Sequence, residues 1–210
     1  MVQTVQAKEI TLETLRDQFD LQKVPYRDFF EECQEGLPLL SEFEQQQLAR
    51  VQRNYTNLGE ARPFSEESVK MVVLSPLLDL ADFYQPPFRL STEEPVEIVA
   101  EDEGTVFRGK IDVLVALQQF WALVIESKST RFDVLLALPQ ALTYMLGAPD
   151  QGKPVYGLLV NGREFVFVKL IRQPTPRYAR SFALSVEQDD ELAQVLGILK
   201  RIRREILASN

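Results

Sequence analysis

The stretch GKIDVLVALQQFWALVIESKS, residues 109–129, sets the problem that this chain has to solve. Its apolar, β-branched runs have the composition of two strands buried on both faces. Yet Asp112, Glu126 and Lys128 lie inside those runs. A lone buried charge is costly enough that it is normally paired or bound to a metal. Folding 111–117 back on 121–127 as a hairpin, with Gln118, Gln119 and Phe120 at the turn, opposes Leu117 with Trp121, Leu114 with Val124 and Asp112 with Glu126. Opposed residues share a face, with Cβ atoms about 5 Å apart. The strand period of two adds Lys128 to that face. Gly109, beside Lys110, leaves space for another chain or a ligand to come close to the backbone. Two carboxylates and an ammonium are therefore expected at one end of a sheet.

Composition narrows what such a cluster can do. The chain has no histidine, which removes Ser–His and Cys–His nucleophilic catalysis and every imidazole metal site. One cysteine, Cys33, leaves no intramolecular disulfide and no Cys-rich zinc site. Catalysis would rest on carboxylates, lysine, tyrosine or hydroxyls, and any metal on oxygen ligands, which suits Mg²⁺. The net charge of -8 disfavours avid nonspecific nucleic-acid binding. The acid is concentrated early, however: residues 1–60 hold 11 acidic against 6 basic, and 170–210 hold 5 against 7. No apolar run approaches the roughly 20 residues of a membrane span. MVQTVQAKEI lacks the basic start and apolar core of a secretory signal, so a cytoplasmic protein without membrane contact is expected.

Along the chain, residues 1–60 read as helical. Thr11 caps TLETLRDQF, and Ser41 caps a second amphipathic run with Leu40, Phe43, Leu48 and Val51. Ser65 caps SEESVKMVVLSPLLDLADFY, on which Glu66, Val69, Val73 and Leu77 share a face and Glu67 is rotated away. PVEIVAE, TVFRGKIDVLVAL and FWALVIESK read as strands, with a turn at residues 102–104. A helix starting or kinking at Pro139 follows. PVYGLLV and EFVFVKLI are strands joined through Asn161-Gly162. The last helix turns Leu192, Leu196, Leu199, Ile202 and Ile206 inward. The order gives an α/β layered domain.

The cluster itself admits two readings. Asp112, Glu126 and Lys128 can be a structural ion pair at a sheet rim. Alternatively, a divalent cation relieves the repulsion between the two acids, and Lys128 serves a metal-bound water or a developing negative charge, an arrangement for phosphodiester hydrolysis. Gly-Lys-Ile-Asp, fourteen residues from Asp112 to Glu126, then Glu-Ser-Lys, resembles the PD-(D/E)XK nuclease superfamily, with Ile111 where the motif carries proline. QALTY, Gln140 to Tyr144, is similar to a Gln-hydrophobic-x-x-Tyr motif of a recombination-nuclease branch. SEESVKMVVLSPLL resembles the Glu-bearing helix in the N-terminal nuclease domain of type I restriction R subunits, here without the helicase motor. The likeness covers roughly residues 60–170.

It implies a restriction-endonuclease-like core, with a mixed sheet of about five strands flanked by helices over 61–210, plus an N-terminal helical extension over 1–60. It further implies Asp112 and Glu126 as metal ligands for Mg²⁺ or Mn²⁺, Lys128 as the catalytic lysine, and Glu66 as the helix acid at the site's edge. Gln140 and Tyr144 would position water or nucleic-acid backbone. DNA is the implied substrate. Three functions are open: a metal-dependent deoxyribonuclease, endonuclease before exonuclease; a binding module that keeps the fold without cutting; and a component active only in a restriction or repair assembly. A homodimer would supply two sites for two strands. The run 200–204, KRIRR, is expected as a solvated helix face before a phosphate grip, and FYQPPF (83–88) as a packed loop before a base-stacking one.

Overall fold

The computed structural model describes residues 3–99, 105–118, 120–149, 152–188 and 190–209. A short strand β1 (Gln3–Gln6) leads to helix α1 (Leu12–Phe19), whose first turn is closed by the Thr14 N–H donating to the Thr11 hydroxyl. β2 (Gln22–Lys23), a one-turn helix α2 (Tyr26–Phe29) and a 3-10 turn precede α3 (Glu42–Gly59). A full capping box starts α3: Glu44 N–H donates to the Ser41 hydroxyl, and Ser41 N–H donates to the Glu44 carboxylate at 2.7 Å.

Ser65 caps α4 (Glu66–Val69), which runs through a π turn at Lys70–Leu74 into α5 (Ser75–Leu80). Pro76 has no N–H to give. The helix passes that gap by letting Ser75 N–H reach back five residues to the Lys70 carbonyl.

β3 (Phe88–Val99) pairs antiparallel with β4 (Thr105–Leu117), which turns into β5 (Phe120–Ser127). A crossover through a 3-10 turn and α6 (Leu138–Leu146) returns to β6 (Val155–Val160), parallel to β5. β7 (Glu164–Ile171), β8 (Arg177–Arg180), β9 (Leu184–Ser185) and α7 (Glu191–Ala208) follow. The sheet order is β1-β4-β5-β6-β7-β8-β2, with β3 also on β4 and β9 on β7. This is a mixed sheet between helices, as expected of the sequence. The turn read at 102–104 lies outside the described residues.

The five strands legible in the sequence are β3 to β7; among the described residues short strands widen the sheet to nine. Two of these come from the segment read as helical: β1 runs parallel to β4 from Gln3 beside Thr105, and β2 parallel to β8. Neither is long enough to show an alternating pattern. They form because β4 and β8 offer open edges that need partners.

The sheet separates two cores. Leu123, Ile125, Leu158, Val160, Phe165 and Phe167 face α3, α5 and α7; Val124, Leu159, Val166 and Val168 face α1 and α6. Burying each such Leu or Ile stabilises by about 1.5–3 kcal/mol. All five inward residues read on α7 are buried, as is Cys33. Lys200 pairs with Glu44, Arg201 with Glu205, and the Arg203 guanidinium lies over the Phe88 ring, so much of the basic run is engaged in packing. Phe83 and Phe88 meet edge to face at 5.2 Å, which makes FYQPPF a packed loop. Among the described residues no helix is long and apolar enough to cross a membrane.

Candidate functional site

β4 changes face at Asp112. Phe107, Gly109 and Ile111 look towards α6, whereas Val113 and Val115, in the same phase, join the opposite core. β3 makes the same switch: Phe88 belongs to one core, Val96 and Ile98 to the other, and Glu93 between them has φ 54. Glu93 and Asp112 stand across from each other where the ladder skips a pair, between Thr92–Val113 and Glu94–Ile111. The kink places Asp112 at the seam between the cores, with its side chain 14% exposed.

On its other side β4 pairs Val113 with Ile125, Leu114 with Val124 and Val115 with Leu123, which brings Asp112 alongside Glu126 as expected. Beyond Val115 the expected register fails. Ala116 pairs with Trp121 and Leu117 with Phe120, so Leu117 does not oppose Trp121 and Phe120 belongs to the strand. A bulge absorbs Ala122, and Gln118, at φ 58, begins a tighter turn. Gln119 lies outside the described residues.

Asp112 is held from two sides. Its Oδ2 accepts from the Ser127 N–H at 2.7 Å and the Ser127 hydroxyl at 3.0 Å. Its Oδ1 is 3.2 Å from the Lys70 ammonium, which also reaches Glu93 at 3.3 Å. Burial alone would favour the neutral Lys70 amine, but Asp112 and Glu93 outweigh it and hold its pKa above the ordinary value.

Glu126 is fully buried. Its Oε1 takes the Asp112 N–H at 3.4 Å, and its Oε2 has no hydrogen-bond donor, the nearest cation being the Lys128 ammonium at 3.9 Å. Burial first, and then the Asp112 charge, push its carboxyl well above the usual range; Lys128, the Asp112 N–H and Lys70 pull only partly back. Lys128 extends β5 by donating its N–H to Val160, and its ammonium donates to the Ser127 carbonyl at 3.1 Å. The lysine side chain remains 21% exposed.

Glu66 is half-buried in the first turn of α4 and Glu67 is exposed, as their phase on the helix predicts. Neither makes a hydrogen bond or ion pair with Asp112 among the described residues; Lys70, one turn on from Glu66, makes it. Sequence reasoning passed over Lys70. A signal was available: Lys70, Leu74 and Leu78 form a row four apart, and both leucines are buried, so the row carries the lysine to the sheet.

Gln140 and Tyr144 do meet. The Gln140 amide donates to the Tyr144 hydroxyl at 3.1 Å, and the Lys110 backbone lies near enough to that hydroxyl to pull its pKa down. Burial, with the Glu126 charge adding, raises the phenol pKa to about 12. The space over Gly109 is thus filled by Tyr144 from within the fold. A Cβ on Gly109 would overlap the Tyr144 hydroxyl and come 2.9 Å from the Ala7 Cβ. Gly109→Ala is expected to cost about 2–3 kcal/mol by overpacking, measured by urea denaturation. A loss under about 0.5 kcal/mol would mean that the tyrosine yields without consequence.

The donor set suits a hard cation. Asp112 and Glu126 offer only oxygen, and the buried Glu126 Oε2, with no hydrogen-bond donor and Lys128 no nearer than 3.9 Å, is an acceptor with capacity to spare. Among the described residues no group of three or more His, Cys, Asp or Glu converges, and Asp112 and Glu126 are the pair that the strands set side by side. The remaining positions of a cation would fall to water or substrate oxygens.

Neither a family model nor a curated protein sequence matches the chain. Among solved structures it is similar to a fragment assigned to the HsdR subunit of a type I restriction enzyme from Vibrio vulnificus YJ016, at 20% identity and a TM-score of 0.38. The match covers 50% of this chain and 21% of that one, so it spans about a fifth of the length of that chain.

Proposed function

We propose that the chain is a metal-dependent DNA phosphodiester hydrolase acting at Asp112, Glu126 and Lys128. The observation that carries this reading is a fully buried Glu126 carboxyl with one oxygen that takes no hydrogen bond, set against Asp112 and 3.9 Å from the Lys128 ammonium. Such an arrangement costs stability, and functional sites are where such costs are kept. The motif order Gly-Lys-Ile-Asp, Glu-Ser-Lys, Gln-x-x-x-Tyr supports it.

Asp112 and Glu126 would hold Mg²⁺ or Mn²⁺, which when bound supplies Lewis-acid charge stabilisation and acidifies water at neutral pH. The chain's own residues do the rest. Ser127 fixes the Asp112 carboxylate through two hydrogen bonds, so its rotamer is set before anything binds. Lys128, with its backbone tied to β6 and its ammonium partly exposed, presents a cation to charge developing on a phosphate. Gln140 and Tyr144 brace the Gly109–Lys110 backbone that leads into Asp112. Glu66 is assigned to the edge of the site as a helix acid. Cutting both strands of a duplex takes two sites, from a homodimer or from a restriction or repair partner.

A second reading has its own observation. Lys70 already neutralises Asp112, and a module that binds nucleic acid without cutting would keep such a pair. Cleavage of supercoiled and linear DNA with Mg²⁺, Mn²⁺ or EDTA, beside Lys128→Ala, separates the two. The hydrolase reading expects metal-dependent cutting that falls by about 100-fold or more in the variant. No cutting with either metal, or cutting that survives the substitution, would leave the binding module.

A further inference from the structure

The loop that leaves Lys128 is pinned to the start of α4. The Ser129 hydroxyl donates to the Phe64 carbonyl at 2.8 Å, and Phe64 N–H donates to the Thr130 hydroxyl at 3.0 Å. Directly after this clasp come Arg131 and Phe132, both exposed, the ring to 53%. They line a groove of about 390 Å³ together with Arg163, from the β6–β7 turn, and Arg180, from the end of β8. β5 and β6 are parallel, so their C-terminal ends lie at one end of the sheet, where Lys128 and this groove both sit. Open parallel sheets bind their ligands at that end.

Two carboxylates also line the groove, and both are engaged. Asp133 accepts from the Leu135 N–H at 2.8 Å, and Glu164 takes the Asn161 amide at 3.3 Å with Arg163 3.8 Å away. Arg131 and Arg180 make no ion pair with any described residue, and Arg180 gives one N–H to the Ser181 carbonyl. In a chain of net charge -8, a groove lined by three guanidiniums against two carboxylates is a local inversion of the protein's charge.

We propose that this groove is the track of a single DNA strand entering the site, with phosphates on Arg131, Arg163 and Arg180 and one base stacked on Phe132. A duplex keeps its base faces stacked inside and offers an exposed ring nothing to cover; a single strand leaves every base face free. The assignment rests on the hydrolase reading only for what the strand is led to. It names the substrate of that site as single-stranded or frayed DNA.

The test is fluorescence anisotropy in EDTA with a fluorescein-labelled oligo-dT and a hairpin duplex of equal length, over a range of salt. The double variant Arg131→Ala/Arg163→Ala is expected to bind the single strand about tenfold more weakly, with the salt slope reduced by about 0.7 for each phosphate no longer neutralised. Phe132→Ala is expected to lose about tenfold for the single strand and nothing for the duplex, and Phe132→Tyr to restore it. Arg204→Ala, an exposed arginine outside the groove, should bind as the parent does. Single-strand binding indifferent to the groove variants, or a duplex bound as tightly and with the same sensitivities, overturns the proposal. Cutting without groove-dependent binding refutes the track alone; groove-dependent binding without any cutting refutes the hydrolase alone.

Discussion

Glu126→Gln should unfold at higher urea than the parent at pH 7, by about 1–2 kcal/mol, and should lose metal-dependent cleavage by about 1000-fold or more. The two effects have one source. A carboxyl with no exposure, one oxygen that takes no hydrogen bond and a second carboxylate alongside can ionise only at a cost. The amide removes the charge while keeping an acceptor for the Asp112 N–H. The gain is limited because the amide nitrogen is then itself short of acceptors.

The sign in pH follows from the raised carboxyl. Below the unfolded-state value, about 4.3, both states hold the proton and Glu126 costs nothing. Above it the unfolded chain has released its proton while the folded chain keeps its own, so the parent loses stability until pH passes the raised folded value, where the folded carboxyl ionises too and the loss levels off. The glutamine variant has no such titration. Its advantage should be close to nil at pH 4 and grow to a plateau at higher pH, read as the difference in urea midpoints across the series. Equal stability at pH 7 would mean that Lys128 and Lys70 already compensate the carboxylate in full.

How much of this was readable beforehand depends on whether a feature is local. Caps at Thr11, Ser41 and Ser65 were legible because a hydroxyl three residues before a free N–H is a property of four consecutive residues. The juxtaposition of Asp112 and Glu126 was legible because the register through Val113, Leu114 and Val115 is set by alternation on two adjacent strands. The bulge at Ala122 was not: it sits in an unbroken apolar run, where one extra residue alters no pattern. The change of face at Asp112 was hidden for a different reason. It needs β3 to kink at Glu93 in step, and no single strand carries that information. Lys70 was legible only through the row it shares with Leu74 and Leu78, which points at the sheet, since no motif singles out the lysine itself. β1 and β2 exist only as partners of β4 and β8, so nothing within four or two residues could announce them.

The same dependence on distant partners makes Lys169→Ala the substitution expected to damage the fold most. Glu32, on the 3-10 turn after α2, is buried, and its carboxylate accepts from Lys169 at 2.7 and 3.0 Å and from the Tyr156 hydroxyl at 2.7 Å. The Lys169 ammonium also lies 5.7 to 6.0 Å from the rings of Phe29, Phe30 and Tyr156. Tyr156 stands on β6 and Lys169 on β7, so this cluster sews residues from the first 60 onto the middle of the sheet. Removing the lysine strands a buried carboxylate with one hydroxyl for a partner and leaves the surrounding rings without their cation. A loss of about 3–5 kcal/mol is expected, with the whole chain still unfolding in one transition because the cluster spans both parts. Glu32→Gln combined with Lys169→Met should recover most of it, since no charge is then left buried and the methionine refills the space between the rings. Parallel urea curves for parent, single and double variants check this. A single-variant loss below about 1 kcal/mol would show that water solvates Glu32 once Lys169 is gone, and that the first 60 residues are held to the sheet by their apolar packing alone.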